Sequence, residues 1–129
     1  MQKNEPGFTL VELMVVILII AILLLAAIPR YLGVRDRAYN SDAQQNLFNA
    51  GRVAVAFYSS QRAYPTALDL DNEEDSYDFV ESNDFPIYQK PPLIAVGSDH
   101  YLRIRSQSGK GFRVSINKGI IGKTEEVEL

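Results

Sequence analysis

Residues 7–28 of this chain read GFTLVELMVVILIIAILLLAAI, and Glu12 is the one ionisable side chain among them. From Leu13 to Ile28 every residue is apolar, and Pro29 and Arg30 end the run. At the rise of an α-helix, residues 8–28 span roughly 30 Å, the thickness of a bilayer core. The stretch therefore has the length and composition of a single membrane span. A carboxylate one turn inside such a helix costs several kcal/mol unless it finds a partner, about the penalty of any buried charge. Glu12 is accordingly read as functional. Its expected partner is a positive charge from another molecule, or from a chain end made by cleavage.

Gly7-Phe8-Thr9-Leu10-Val11-Glu12, after a short polar segment and before the apolar run, resembles the prepilin signal shared by type IV pilins and type II secretion pseudopilins. A secretory signal would carry a basic start, a shorter apolar stretch and a small-residue cleavage site behind it. An ordinary anchor explains the hydrophobicity but not Gly7, Phe8 and Glu12 together. The resemblance implies cleavage between Gly7 and Phe8 by a membrane-embedded prepilin peptidase and N-methylation of Phe8. It also implies a role for Glu12 in assembly. Two features depart from the family pattern. Glu5 and Pro6 stand where basic residues are usual, and Ala21 stands where many pilins carry a mid-helix glycine. Pro29 is then the expected helix break. The resemblance puts the N-terminus in the cytoplasm, although Arg30, Arg35 and Arg37 lie on the other side of the span and the positive-inside rule counts against that orientation.

The remainder fits one modest core and not two. From residue 30 the period becomes helical. Tyr39, Ala43, Leu47, Ala50, Ala54 and Phe57 form an apolar stripe, and Asn40, Asp42, Gln45, Asn49 and Arg52 lie opposite. The helix is expected to end before Pro65. Residues 37–66 also resemble major pilins, so the likeness covers about half of the chain. Between residues 69 and 84 stand eight acids and no Lys or Arg, which reads as a solvated acidic loop. Asp69, Asp71 and Glu73 alternate as calcium ligands do, but Glu74 stands where the EF-hand pattern wants glycine. They are weak metal candidates, and no metal or cofactor is assigned.

After Pro91-Pro92 the period switches to two. Residues 93–96, 101–106 and 112–117 read as strands, with a hairpin loop at 107–111, a turn at Lys118-Gly119 and a closing edge strand at 125–129. Arg103, Arg105, Lys110, Arg113, Lys118 and Lys123 give this sheet a basic character. Set against the acidic loop, it suits head-to-tail stacking of copies as well as it suits plain solubility. The chain has no cysteine, so hydrogen bonds and packing have to close the C-terminal region. With a single histidine, His100, and no nucleophile or phosphate-loop motif, no enzyme is read here. Nor does any nucleic-acid-binding module appear, and the net charge is −3.

The expected fold is α+β and type IV pilin-like, a long N-terminal helix packed on a small antiparallel sheet. Residues 1–7 are the expected leader, 8–29 the transmembrane and assembly helix, and 30–64 its amphipathic half. Residues 65–92 are the acidic loop and 93–129 the sheet, with 30–129 as the head. The function implied by the resemblance is a structural subunit of a type IV pilus, a homo-oligomeric helical filament for adhesion, motility or DNA uptake. The alternatives are a secretion pseudopilin or minor pilin, and a membrane-anchored binding domain. The implied partners are the prepilin peptidase, an inner-membrane assembly platform and further copies of the chain. The precursor is expected in a bacterial inner membrane, and the product in an extracellular pilus or a periplasm-spanning pseudopilus.

Overall fold

The computed structural model describes residues 7–129, so residues 1–6, most of the expected leader, lie outside the described residues. The elements in order are α1 (Leu10–Gln61), α2 (Ala67–Glu73), β1 (Asp78–Glu81), β2 (Leu93–Val96), β3 (Tyr101–Arg105), β4 (Gly111–Asn117), β5 (Ile120–Ile121) and β6 (Glu125–Val127). The chain divides into two compact units between Arg35 and Asp36.

The first unit carries the apolar part of α1. Its large side chains, from Leu13 through Ile28, are exposed. An 18-residue window of α1 is long and apolar enough to cross a membrane, and none of it is buried. Pro29, the expected break, lies inside the helix, which continues through it. The pyrrolidine nitrogen has no hydrogen to donate to the carbonyl four residues back, so one helical bond is missing there without ending the helix.

In the second unit, Asp36–Leu129, the rest of α1 is amphipathic. Ala43, Leu47, Ala50, Gly51 and Ala54 are its buried residues, a stripe at spacings of three and four. Tyr39 and Phe57, the ends of the expected stripe, are half-buried. The helix stops at Gln61 because Arg62 turns left-handed (φ 56°), its N–H donating to the Tyr58 carbonyl at 2.8 Å. An αL residue after the last turn is a common helix stop, and Pro65 bars any continuation.

The sheet runs β1-β2-β3-β4-β5, with β6 also paired to β4. β5 meets β4 at Ile116–Asn117 and β6 meets it at Gly111–Arg113, so the two short strands share one edge of β4. Ile104↔Phe112 and Leu102↔Val114 are cross-strand apolar pairs. Positive φ at Lys118 (47°) and Gly119 (81°) fits the tight two-residue turn that joins β4 to β5. The core unites Leu47, Ala50 and Ala54 of α1, Leu70 of α2, and Ile94, Leu102, Ile104, Phe112, Val114 and Ile116 of the sheet.

Two expectations are corrected. The sheet is mixed rather than purely antiparallel, because β1 pairs with β2 in parallel. β1 and α2 both come from residues 65–92, the stretch expected as a loop. Only Phe79 of β1 is buried, so no period-two alternation marks the strand. α2 is seven residues long, but its start is well specified. Thr66 and Asp69 form a capping box, in which Thr66 Oγ1 accepts from the Asp69 N–H and the Asp69 carboxylate accepts from the Thr66 N–H.

Candidate processing and assembly site

Gly7, Phe8 and Thr9 precede α1 in non-helical backbone, and Phe8 is 89% exposed. Among the described residues no atom lies within 4 Å of where a Cβ would sit on Gly7, so they make no demand for glycine there. Thr9 is the N-cap of α1. Its Oγ1 accepts from the Glu12 N–H at 3.2 Å, and its carbonyl takes the N–H of Leu13, also at 3.2 Å. Glu12 reciprocates, with Oε2 accepting from the Thr9 N–H at 3.0 Å and from the Thr9 hydroxyl at 3.1 Å. This is a second capping box, Thr-x-x-Glu, which satisfies donors otherwise orphaned at a helix start. Both of these bonds fall on Oε2, and among the described residues nothing donates to Oε1.

The expected partner of Glu12 is a positive charge, from another molecule or a chain end made by cleavage, whereas the partner it has among the described residues is the neutral Thr9. The signal was present, since a Thr three residues before a Glu, just ahead of an apolar run, marks a helix start. The site thus combines an exposed glycine–aromatic pair, a capped helix start holding one carboxylate oxygen, and an apolar helix with every large side chain in the open.

The other candidates fall elsewhere. Asp69, Asp71 and Glu73 lie on α2. Asp69 is held in the capping box, whose hydrogen bonds from Thr66 keep its carboxyl below the usual range. Asp71 Oδ1 accepts from the Phe79 N–H at 2.9 Å, and Glu81 Oε1 from the Ala67 N–H at 2.8 Å. These acids tie α2 to β1 and do not converge. Among the described residues no group of three His, Cys, Asp or Glu is placed to hold a metal ion. His100 stacks on Tyr64, their ring centres 3.6 Å apart.

Half of the basic side chains of the sheet are neutralised by ion pairs. Arg103, one of the bases counted in the sheet, is 5% exposed and paired with Asp99, with its guanidinium carbon 5.5 Å from the Tyr101 ring centre. Arg113, directly across from Arg103, approaches the same ring at 5.0 Å and is paired with Glu125 at 2.8 Å. Lys110 pairs with Glu126. Two like charges on neighbouring strands thus both approach one aromatic ring and are each balanced by a carboxylate.

An apolar helix of membrane length whose large side chains are exposed among the described residues is a candidate membrane span, an apolar surface suited to lipid or to other helices. Comparison with known proteins agrees. Residues 2–28 match the model of the prokaryotic N-terminal methylation motif. A stretch of 63 residues is 40% identical to the type IV major pilin protein PilA of Myxococcus xanthus (strain DK1622), covering 49% of this chain and 29% of that protein. No solved structure gives a significant match. Motif, helix and relative together make the N-terminal half of the chain similar to type IV pilins, and the chain spans less than a third of the length of the curated relative it matches. Neither match is to an enzyme.

Proposed function

We propose that this chain is the structural subunit of a type IV pilus, cut between Gly7 and Phe8 by a prepilin peptidase, N-methylated on Phe8, and assembled through residues 8–29 into a helical filament. The observation that carries the reading is the uncovered apolar stretch of α1 directly behind the capped start at Thr9–Glu12. In the inner membrane that surface is covered by lipid, and in the filament by the same helix of other copies. The transfer is close to neutral in hydrophobic terms, because one apolar surrounding replaces another. Packing and charge then decide which register is stable.

Glu12 supplies the charge. Cleavage turns the Phe8 nitrogen into an amine adjoining the cap. With Oε2 bound to Thr9, Oε1 is open to the amine of an incoming subunit. A charge pair in low dielectric is strong, and either partner left alone is expensive, so the pair favours one docking position over sliding. Pro29, where one helical bond is already missing, is the weak point at which the helix yields when subunits pack. The precursor sits in the inner membrane with residues 1–7 in the cytoplasm, and an assembly platform lifts the processed subunit into a filament for adhesion, motility or DNA uptake.

Shearing cells that express the chain tests this reading. The chain is expected as an abundant component of surface filaments. Retention in the envelope, with none in the sheared fraction, would instead indicate a secretion pseudopilin or a simple anchor.

A further inference from the structure

Within the second unit, a groove of about 310 Å³ lies between α1, the segment around Tyr88–Pro92 and strand β3. Asp42, Asn46, Tyr88, Pro92, Arg105 and Gln107 are among its walls. Arg105 Nε is buried there, and its N–H meets no acceptor among the described residues. Its neighbours are already engaged with each other. The Tyr88 hydroxyl donates to Gln107 Oε1 at 3.2 Å, and Asn46 Nδ2 donates to Asp42 Oδ2 at 3.4 Å. Buried N–H groups are nearly always paired, and a guanidinium edge is shaped for a carboxylate. Although the Asp42 carboxylate also lines the groove, the Arg105 Nε–H is a donor there that still lacks an acceptor among the described residues.

The acidic stretch supplies the complement. Asp69, Asp71, Glu74, Asp78 and Glu81 each accept a hydrogen bond inside the subunit. Glu73, Asp75 and Asp84 are exposed and their carboxylates accept none among the described residues, and of these Glu73 and Asp75 stand close together, at the end of α2 and just past it. We infer that the Arg105 groove is the receiving half of a contact between copies of this chain, taking a carboxylate of the Glu73–Asp75 turn of a neighbouring copy. The contact joins two different surfaces, so it propagates head to tail instead of closing into a dimer. It rests on the filament reading, and names where two heads meet in it.

The absence of cysteine makes the test direct. Ser76→Cys, beside Asp75, and Gln107→Cys, at the groove rim, are placed in two separately tagged full-length chains and co-expressed. Sheared filaments are then oxidised. A disulfide-linked dimer carrying both tags is expected. Its yield per assembled subunit falls roughly tenfold when Arg105→Gln is added to the groove copy. Glu73→Gln with Asp75→Asn on the donor copy, two exposed positions that leave the fold intact, gives the same loss. Filaments without the mixed dimer, or with a dimer indifferent to these changes, overturn the contact and leave the filament reading standing. A chain that forms no filaments at all overturns both.

Discussion

At the scale of single residues, Thr9 and Glu12 satisfy each other across the first turn of α1, with the Glu12 carboxylate taking both the Thr9 N–H and hydroxyl. The docking role proposed for Glu12 is separate from this cap, and a substitution tests it. Glu12→Ala keeps Gly7, Phe8 and the apolar run, so it is expected to be cut and inserted normally but to give few filaments or none. Immunoblots for cleavage alongside filament yield check this. Normal yield removes the docking role, and lost cleavage assigns Glu12 to peptidase recognition instead. The second residue-scale case is the buried guanidinium of Arg103. A hydrogen bond from Arg103, and then its charge, hold the Asp99 carboxyl below its usual range, although burial opposes this. A depressed carboxylate contributes stability above its unfolded pKa and loses it as pH falls through the folded one. Asp99→Asn is thus expected to cost about 1–2 kcal/mol at neutral pH, reduced because the carboxylate is partly in water. Thermal melts of the full chain in detergent should show the gap to the native protein closing below the ordinary carboxylate range. Gly97 belongs to the same site, since a Cβ there would collide with Arg103 Nη1 and Asp99 Oδ1. Neither Arg103 nor Gly97 was legible beforehand. Period-two alternation puts Arg103 on the solvent side, and only the turn that brings Asp99 over it makes it a buried ion.

At the scale of elements, the parts with strong periodicity were readable and the parts held by capping were not. The α1 stripe, β2, β3 and β4 all follow from apolar spacing. α2 is too short to show a helical period, and β1 buries a single side chain, so both are hidden inside an acid-rich stretch. Several of those acids are structural, accepting backbone N–H groups at the start of α2 and along β1. β6 is the element that closes the C-terminal region without a disulfide. Its Glu125 and Glu126 pair with Arg113 and Lys110 of β4, and each partner holds the cation's pKa up chiefly through its hydrogen bond. These pairs are exposed, so salt weakens them. Glu125→Lys with Glu126→Lys replaces both attractions with repulsions. Amide exchange at β4 residues 111–113 is expected to quicken in that variant, while Leu102 and Val114 in the core stay protected. Unchanged exchange at the β4 edge would show that backbone pairing alone holds β6.

For the whole molecule, the division into an apolar first unit and a folded second unit was legible from hydropathy, and the motif around Gly7–Glu12 from residue order. The charge layout was not. Counting acids and bases gives an acidic stretch and a basic sheet, whereas the folded chain cancels half of that sheet's charge internally and leaves the buried Nε–H of the half-buried Arg105 without an acceptor among the described residues. Which charges remain for a neighbour depends on pairings made by short elements the sequence barely marks. The central claim, that the chain is trimmed at Gly7 and then serves as a filament subunit, is tested most directly by the intact mass of the subunit recovered from sheared surface filaments. The account predicts a single species beginning at Phe8 and carrying one methyl group on its N-terminal nitrogen. Filament subunits that still begin at Met1, or that begin elsewhere than Phe8, would contradict it.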